Sequence, residues 1–122
     1  MTSLPALHFL PETRSPDTGK LDARRTAQAF GLTLRELGQV LGRDPSGLSK
    51  HAASDRLQPQ LQTLDTLALQ LRDVFGSLEL GRMWLRAPNP VLGGERPLTS
   101  LLQGDAKTIR KLLLLAESGM PT

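Results

Sequence analysis

The chain has 122 residues, with 15 Lys and Arg against 12 Asp and Glu and a net charge of +3. That length suits one compact domain, or two very small ones sharing a core. With no cysteine, disulfides and thiolate metal sites are excluded and a cytoplasmic location is expected. No basic-then-apolar leader opens the chain, so no signal peptide is expected, and the longest apolar run, Leu112 to Ala116, is far too short to cross a bilayer.

Residues 1–20 carry Pro5, Pro11 and Pro16 and end near Gly19. No helical period survives that spacing, so an irregular N-terminal arm is expected. Leu7, Phe9 and Leu10 are apolar enough to lie on a surface, and a disordered leader is the other reading. Leu21 to Phe30 then reads as a short helix stopped by Gly31. Thr33 and Glu36 form a capping box that opens a helix bearing Leu34, Leu37, Val40 and Leu41, ended by Gly42. Asp44-Pro45 is a second start, a cap followed by a first-turn proline, and the helix it opens is expected to reach Ala53.

These two short helices, joined by Gly42-Arg43-Asp44, resemble a helix-turn-helix of the phage-repressor type. The resemblance makes Leu37, Leu41 and Leu48 core residues and Gly38 the small residue that lets the helices approach. It departs from the pattern at Arg43 and His51, where apolar residues are usual. Between Lys20 and Arg56 seven basic residues face four acidic ones, and this local excess equals the whole net charge. A phosphate-facing surface is compatible with that balance, as is an ordinary solvated helical domain. The resemblance implies base contacts from Arg43, Ser46, Ser49 and Lys50, with phosphate contacts from Arg24, Arg25, Arg35 and Arg56.

Leu61, Leu64, Leu67, Ala68, Leu71, Val74 and Phe75 recur at helical spacing, predicting a long helix from about Gln60 to Phe75. A second helix, Leu78 to Arg86, brings in Leu80, Met83, Trp84 and Leu85. Next, Pro88 and Pro90 forbid helix, Gly93-Gly94 supplies a turn of positive φ, and Pro97 permits a new first turn. On residue types alone, Trp84 reads as the packed anchor of this corner. Gly104-Asp105 punctuates again, and Ala106 to Glu117 forms the last helix. Its four consecutive leucines, Leu112 to Leu115, point around the whole circumference. One side can serve the chain's own core; in so small a chain the other is expected to meet a partner.

The ordered set Trp84-Leu85, Pro88-Asn89, Leu92-Gly93-Gly94, Pro97-Leu98 and a following Leu-Leu resembles the C-terminal domain of the Xre/MbcA/ParS antitoxin family, over roughly residues 70 to 119. The expected fold is therefore all-α. Its expected divisions are the arm (1–20), a helix-turn-helix DNA-binding domain (21–69) and a toxin-binding domain (70–122). The resemblance implies a hetero-oligomer with a RES-domain toxin that consumes NAD, or with a related ADP-ribosyl-transferring toxin. It also implies repression of the chain's own operon by a homodimer on operator DNA. Trp84, Asn89, Gly93 and Gly94 would belong to the toxin-binding surface. The blocking role over the toxin's active site would fall to the last helix and tail: Lys111, Leu114, Glu117, Ser118, Gly119, Met120, Pro121 and Thr122. A pocket that binds NAD phosphates is expected to be basic, so Glu117 or the terminal carboxylate can serve there as an anion mimic.

His8 and His51 stand at no metal-ligand spacing, and Gly93-Gly94-Glu95 lacks the lysine and strand of a phosphate loop. Paired-carboxylate candidates such as Asp65 with Asp73 read as solvated surface acids. Neither enzymatic activity nor a cofactor or membrane partner is expected. Two other readings remain open. One is a stand-alone helix-turn-helix regulator with a C-terminal dimerisation domain. The other is an interaction module whose helix-turn-helix binds no DNA.

Overall fold

The computed structural model describes residues 10–119, and among them every extended element is helical. Seven α-helices follow one another: α1 (Ala23–Phe30), α2 (Leu34–Leu41), α3 (Pro45–Lys50), α4 (Gln58–Phe75), α5 (Leu78–Arg86), α6 (Pro97–Leu102) and α7 (Ala106–Glu117). The only pairing of extended backbone among the described residues is an isolated bridge between Arg14 and Leu21. No helix among these residues is long and apolar enough to cross a membrane.

The helix starts follow the capping chemistry of the sequence. Thr33 and Glu36 exchange both bonds of their box, each at 3.0 Å, and Asp44 Oδ1 accepts from Ser46 N at 2.9 Å. The α1, α2 and α4 ends fall at Gly31, Gly42 and Gly76, all left-handed. Three boundaries differ from expectation. α1 begins at Ala23 instead of Leu21, because Asp22 is its extended cap, accepting from Arg25 N, and Leu21 is bridged to Arg14. α3 ends at Lys50 instead of reaching Ala53, because His51 leaves the helical region at φ −130° and ψ 52°; the Ala52 carbonyl beyond it accepts from the Ala23 N–H at 2.8 Å. α4 begins at Gln58, with Pro59 in its first turn, where the missing N–H costs nothing.

α4 is the central rod, packed against α1, α5 and α7. Leu61, Leu64, Leu67, Ala68 and Leu71 are its buried stripe. One hydrophobic cluster joins them to Phe30 of α1, Leu37 of α2, Leu48 of α3, Leu85 of α5, Leu98 and Leu101 of α6, and Ile109 and Leu113 of α7. Positions 69 and 70 lie inside α4, so the two halves expected from the sequence share this core.

Where it is described, the arm packs onto the core. Leu10 and Thr13 are fully buried. Asp65 is not the solvated surface acid expected but is buried, and Thr13 Oγ1 donates to its Oδ1 at 2.6 Å. Leu21 is clipped to α4 by both polar atoms of the Gln58 amide, at 3.0 and 2.9 Å. Leu7, His8 and Phe9 lie outside the described residues.

Candidate functional site

Two surfaces gather the residues singled out in the sequence. The first is built by α5, the segment after it, and α7. Ser77 caps α5, its Oγ accepting from Leu80 N at 3.1 Å. At the other end Ala87 turns extended before Pro88. Trp84 is half-buried, its ring centroid 5.3 Å from that of Phe75 at 34°. It is therefore a packed corner with an open side.

Asn89 is 3% exposed, and its groups are spent inside the loop. Oδ1 accepts from Val91 N at 2.9 Å. The Asn89 N–H donates to the Glu95 carbonyl at 3.0 Å, and its own carbonyl accepts from Leu92 N and Gly94 N at 3.0 and 2.9 Å. Asparagine suits this position because a short side chain with a carbonyl oxygen can bond its own backbone two residues on. Gly93 and Gly94 are exposed at φ 65° and 91°. A side chain there would meet open space, so their backbone angles, and not crowding, call for glycine.

The last helix separates its leucines. Leu112 and Leu113 are buried, whereas Leu114 is 56% and Leu115 37% exposed. Lys111, Glu117, Ser118 and Gly119 are exposed beside them; Met120, Pro121 and Thr122 lie outside the described residues. Asp105 starts α7, accepting from Thr108 Oγ1 at 2.6 Å and Thr108 N at 3.2 Å. Those bonds, the side-chain one foremost, hold its carboxyl below the ordinary value of 3.8, and Lys107 and Lys111 add to the effect. Sequence reasoning did not single out Leu80, Met83 and Val91 as exposed apolar residues. Leu80 and Met83, one turn apart on α5, are 49% and 63% exposed, and Val91 is 53%. The signal was present: α5 carries five apolar residues in nine, more than one buried face needs.

The second surface is the α2–α3 pair. Gly38 permits its close crossing: a Cβ there would lie 2.6 Å from the Arg43 carbonyl and 3.2 Å from Pro45 Cγ. Opposite the buried Leu48, helical spacing sets Ser46 and Lys50 on the outer edge of α3. Lys50 is exposed, while Ser46 Oγ donates to Asp44 Oδ1 at 2.9 Å. Bonds from Ser46, backbone first, keep the Asp44 carboxyl below its ordinary value. Ser49 is half-buried and bonded to α1, with Arg24 Nη2 2.6 Å from its Oγ and 3.2 Å from its carbonyl.

Arg43 is set apart from that edge. Its Nε donates to Gln60 Oε1 of α4 at 2.6 Å, and it lines a cleft together with Arg56. Arg25 is half-buried and Arg35 is exposed; neither side chain makes a hydrogen bond or ion pair with another residue of this surface.

The surfaces are joined by arginines of α5 that cap α1. Arg82 Nη1 donates to the Ala29 carbonyl at 3.3 Å. The Arg86 guanidinium donates to the Gly31 carbonyl and lies 4.0 Å from the Glu36 carboxylate of the α2 box. Cations at a helix C-terminus complement its unpaired carbonyls and its dipole.

The first surface coincides with a known family of domains. Residues 70–119 match the family of the antitoxin Xre/MbcA/ParS C-terminal toxin-binding domain. The match covers the stretch over which the motif resemblance was expected, and it includes α5, the Asn89 loop, α6 and α7. The whole fold is also similar to a chain in the crystal structure of the M. tuberculosis MbcT-MbcA toxin-antitoxin complex. The TM-score is 0.61 at 22% identity, covering 82% of this chain and 94% of that one. At that identity the likeness establishes a common all-helical fold. No curated protein matches the sequence.

Proposed function

We propose that the protein is an antitoxin that binds and silences a RES-domain, NAD-consuming toxin, covering the active site with α7 and the tail. The observation that carries this reading is the division of the α7 leucines. Leu114 and Leu115 stay exposed, inside the stretch that matches a toxin-binding domain, and exposed apolar surface on a small chain favours a protein partner. Lys111, Glu117, Ser118 and Gly119 are exposed beside them, with Glu117 as the anion mimic, and in this reading the blocking role extends through the tail residues Met120, Pro121 and Thr122. Trp84, Gly93 and Gly94 present the loop side of the surface, while Asn89 holds that loop in shape from within.

The helix-turn-helix would serve repression of the operon by a homodimer on operator DNA. Base contacts then fall to Ser46, Ser49 and Lys50, and phosphate contacts to Arg24, Arg25, Arg35 and Arg56. The division into 21–69 and 70–122 is in this reading one of roles on a shared core.

The test is co-expression with the product of the neighbouring gene. Wild-type chain should co-purify with that product and relieve its toxicity. Removing Ser118 to Thr122 should restore toxicity while helicity is kept. Unchanged protection would reject the blocking role. For DNA, Lys50→Ala should weaken operator binding and leave neutralisation intact, and the affinity should fall steeply with salt.

A further inference from the structure

Arg43 and His51 are the two residues that break the repressor-type pattern, and the structure brings both to one place. They line a cleft of about 600 Å³ with Asp44, Gly47, Leu48 and Arg56. The apolar side chains usual at 43 and 51 would pack against this space; here cations and an imidazole border it. The volume falls within the range of small-molecule sites, about 300–1,000 Å³.

The charges are placed to receive an anion. The Nε bond to Gln60 orients the Arg43 guanidinium and leaves Nη1 and Nη2 without a partner among the described residues. The Arg56 guanidinium also makes no hydrogen bond or ion pair among them. The single acid, Asp44, is turned to Ser46, accepting from its N and Oγ at 2.9 Å each, and pairs with neither arginine. Helical spacing sets Gly47 and His51 beside Leu48, whereas Ser46 and Lys50 project from the opposite side of α3. The cleft thus flanks the outer edge of α3 without being part of it.

We propose that this cleft is a phosphate-binding site, with Arg43, His51 and Arg56 as its donors. Planar guanidinium forks match the oxygens of a phosphate in pairs. The phosphate can belong to a free ester of up to nucleotide size or to the backbone of duplex DNA. Neither source requires a toxin partner, so failure here leaves the antitoxin reading standing.

The test is titration of the isotope-labelled full chain with pyrophosphate, with AMP and with a short duplex of arbitrary sequence. The amide resonances of Gly42, Gly47 and His51 report on the cleft. Binding should shift them, and Arg43→Gln with Arg56→Gln should weaken it by about tenfold or more, as loss of charged hydrogen-bond donors does. The pair Arg96→Gln with Arg110→Gln, which removes the same charge elsewhere, should leave affinity unchanged. Response to pyrophosphate or AMP assigns the site to a free ester; response to duplex alone, weakened by the cleft pair, assigns it to the DNA backbone. The proposal falls if no probe moves these amides in the wild type, or if the cleft pair binds as tightly as the wild type.

Discussion

Leu113 and Leu114 are adjacent in α7 and chemically identical, yet the structure gives them opposite surroundings. Leu113 is fully buried and Leu114 is 56% exposed. Leu113→Ala removes packed side-chain volume and leaves a cavity, a change that costs about 2–5 kcal/mol. For a domain of this size the melting temperature should fall by roughly 10 °C or more. Leu114→Ala should change stability by no more than about 0.5 kcal/mol. If the proposed function holds, its effect belongs to binding. Burying a whole leucine side chain is worth about 1.5–3 kcal/mol, and roughly half of that remains to be gained at 56% exposure. Truncation should therefore weaken binding in the proposed complex about four- to twelvefold. Leu114→Asp, which would bury an unpaired carboxylate in the interface, should weaken it by more than about a hundredfold.

Thermal melting by circular dichroism gives the first contrast, and calorimetric titration against the product of the neighbouring gene, the proposed toxin, gives the second. Equal melting losses for the two alanine variants would mean that α7 is enclosed on both sides. Wild-type affinity in Leu114→Asp would mean that the exposed leucines face nothing.

Other residues give sharp expectations. Asn89→Leu keeps bulk but leaves the Val91 N–H without its acceptor, so melting should fall by the equivalent of about 1–3 kcal/mol with helicity retained; an unchanged melt would show that the loop does not depend on that bond. Gly38→Ala should destabilise by about 1–3 kcal/mol, because its Cβ meets the Arg43 backbone carbonyl at 2.6 Å; a gain, as bare helix propensity would give, would show that the α2–α3 turn yields freely. Asp105 has its carboxyl held below 3.8 in the fold, so its contribution is complete above the unfolded value and fades as pH falls through the folded one. The melting gap between wild type and Asp105→Ala should be constant from about pH 7 to about pH 5 and close below 3.8. A gap that persists there would deny the charged cap.

Most of the architecture was legible because local signals and packing agree. Caps at Thr33 and Asp44, stops at Gly31 and Gly42, the Gly104-Asp105 break before α7 and the apolar period of α4 each name an element that the chain forms. The C-terminal motif was legible for a different reason. Its residues meet a backbone demand, with Asn89 bonding its own loop and the glycine pair taking positive φ. What the sequence withheld depends on contacts far along the chain. Nothing local says that Ala52 will give its carbonyl to Ala23, or that Arg43 will turn to Gln60 and away from the outer edge of α3. Burial of Asn89 was equally hidden, since a motif marks a residue as special without saying whether it faces inward or outward.

The shared core bears on how the two proposed roles can be pulled apart. A cut between residues 69 and 70 would break α4 and leave residues 1–69 without Leu71, Leu85, Leu98, Leu101, Ile109 and Leu113, all at most 2% exposed. At about 1.5–3 kcal/mol for each buried side chain, the loss is on the order of 9–18 kcal/mol as an upper bound. That matches or exceeds the entire stability of a typical domain, about 5–15 kcal/mol. The fragment would also lose the Arg82 and Arg86 caps on α1. Residues 1–69 alone should therefore show low helicity and no cooperative melt, whereas the full chain should melt in one transition. A fragment that melts cooperatively would show that the N-terminal half carries its own core. If it does not, only surface substitutions such as Lys50→Ala and Leu114→Asp can separate DNA binding from neutralisation, because any core change disturbs the scaffold beneath both.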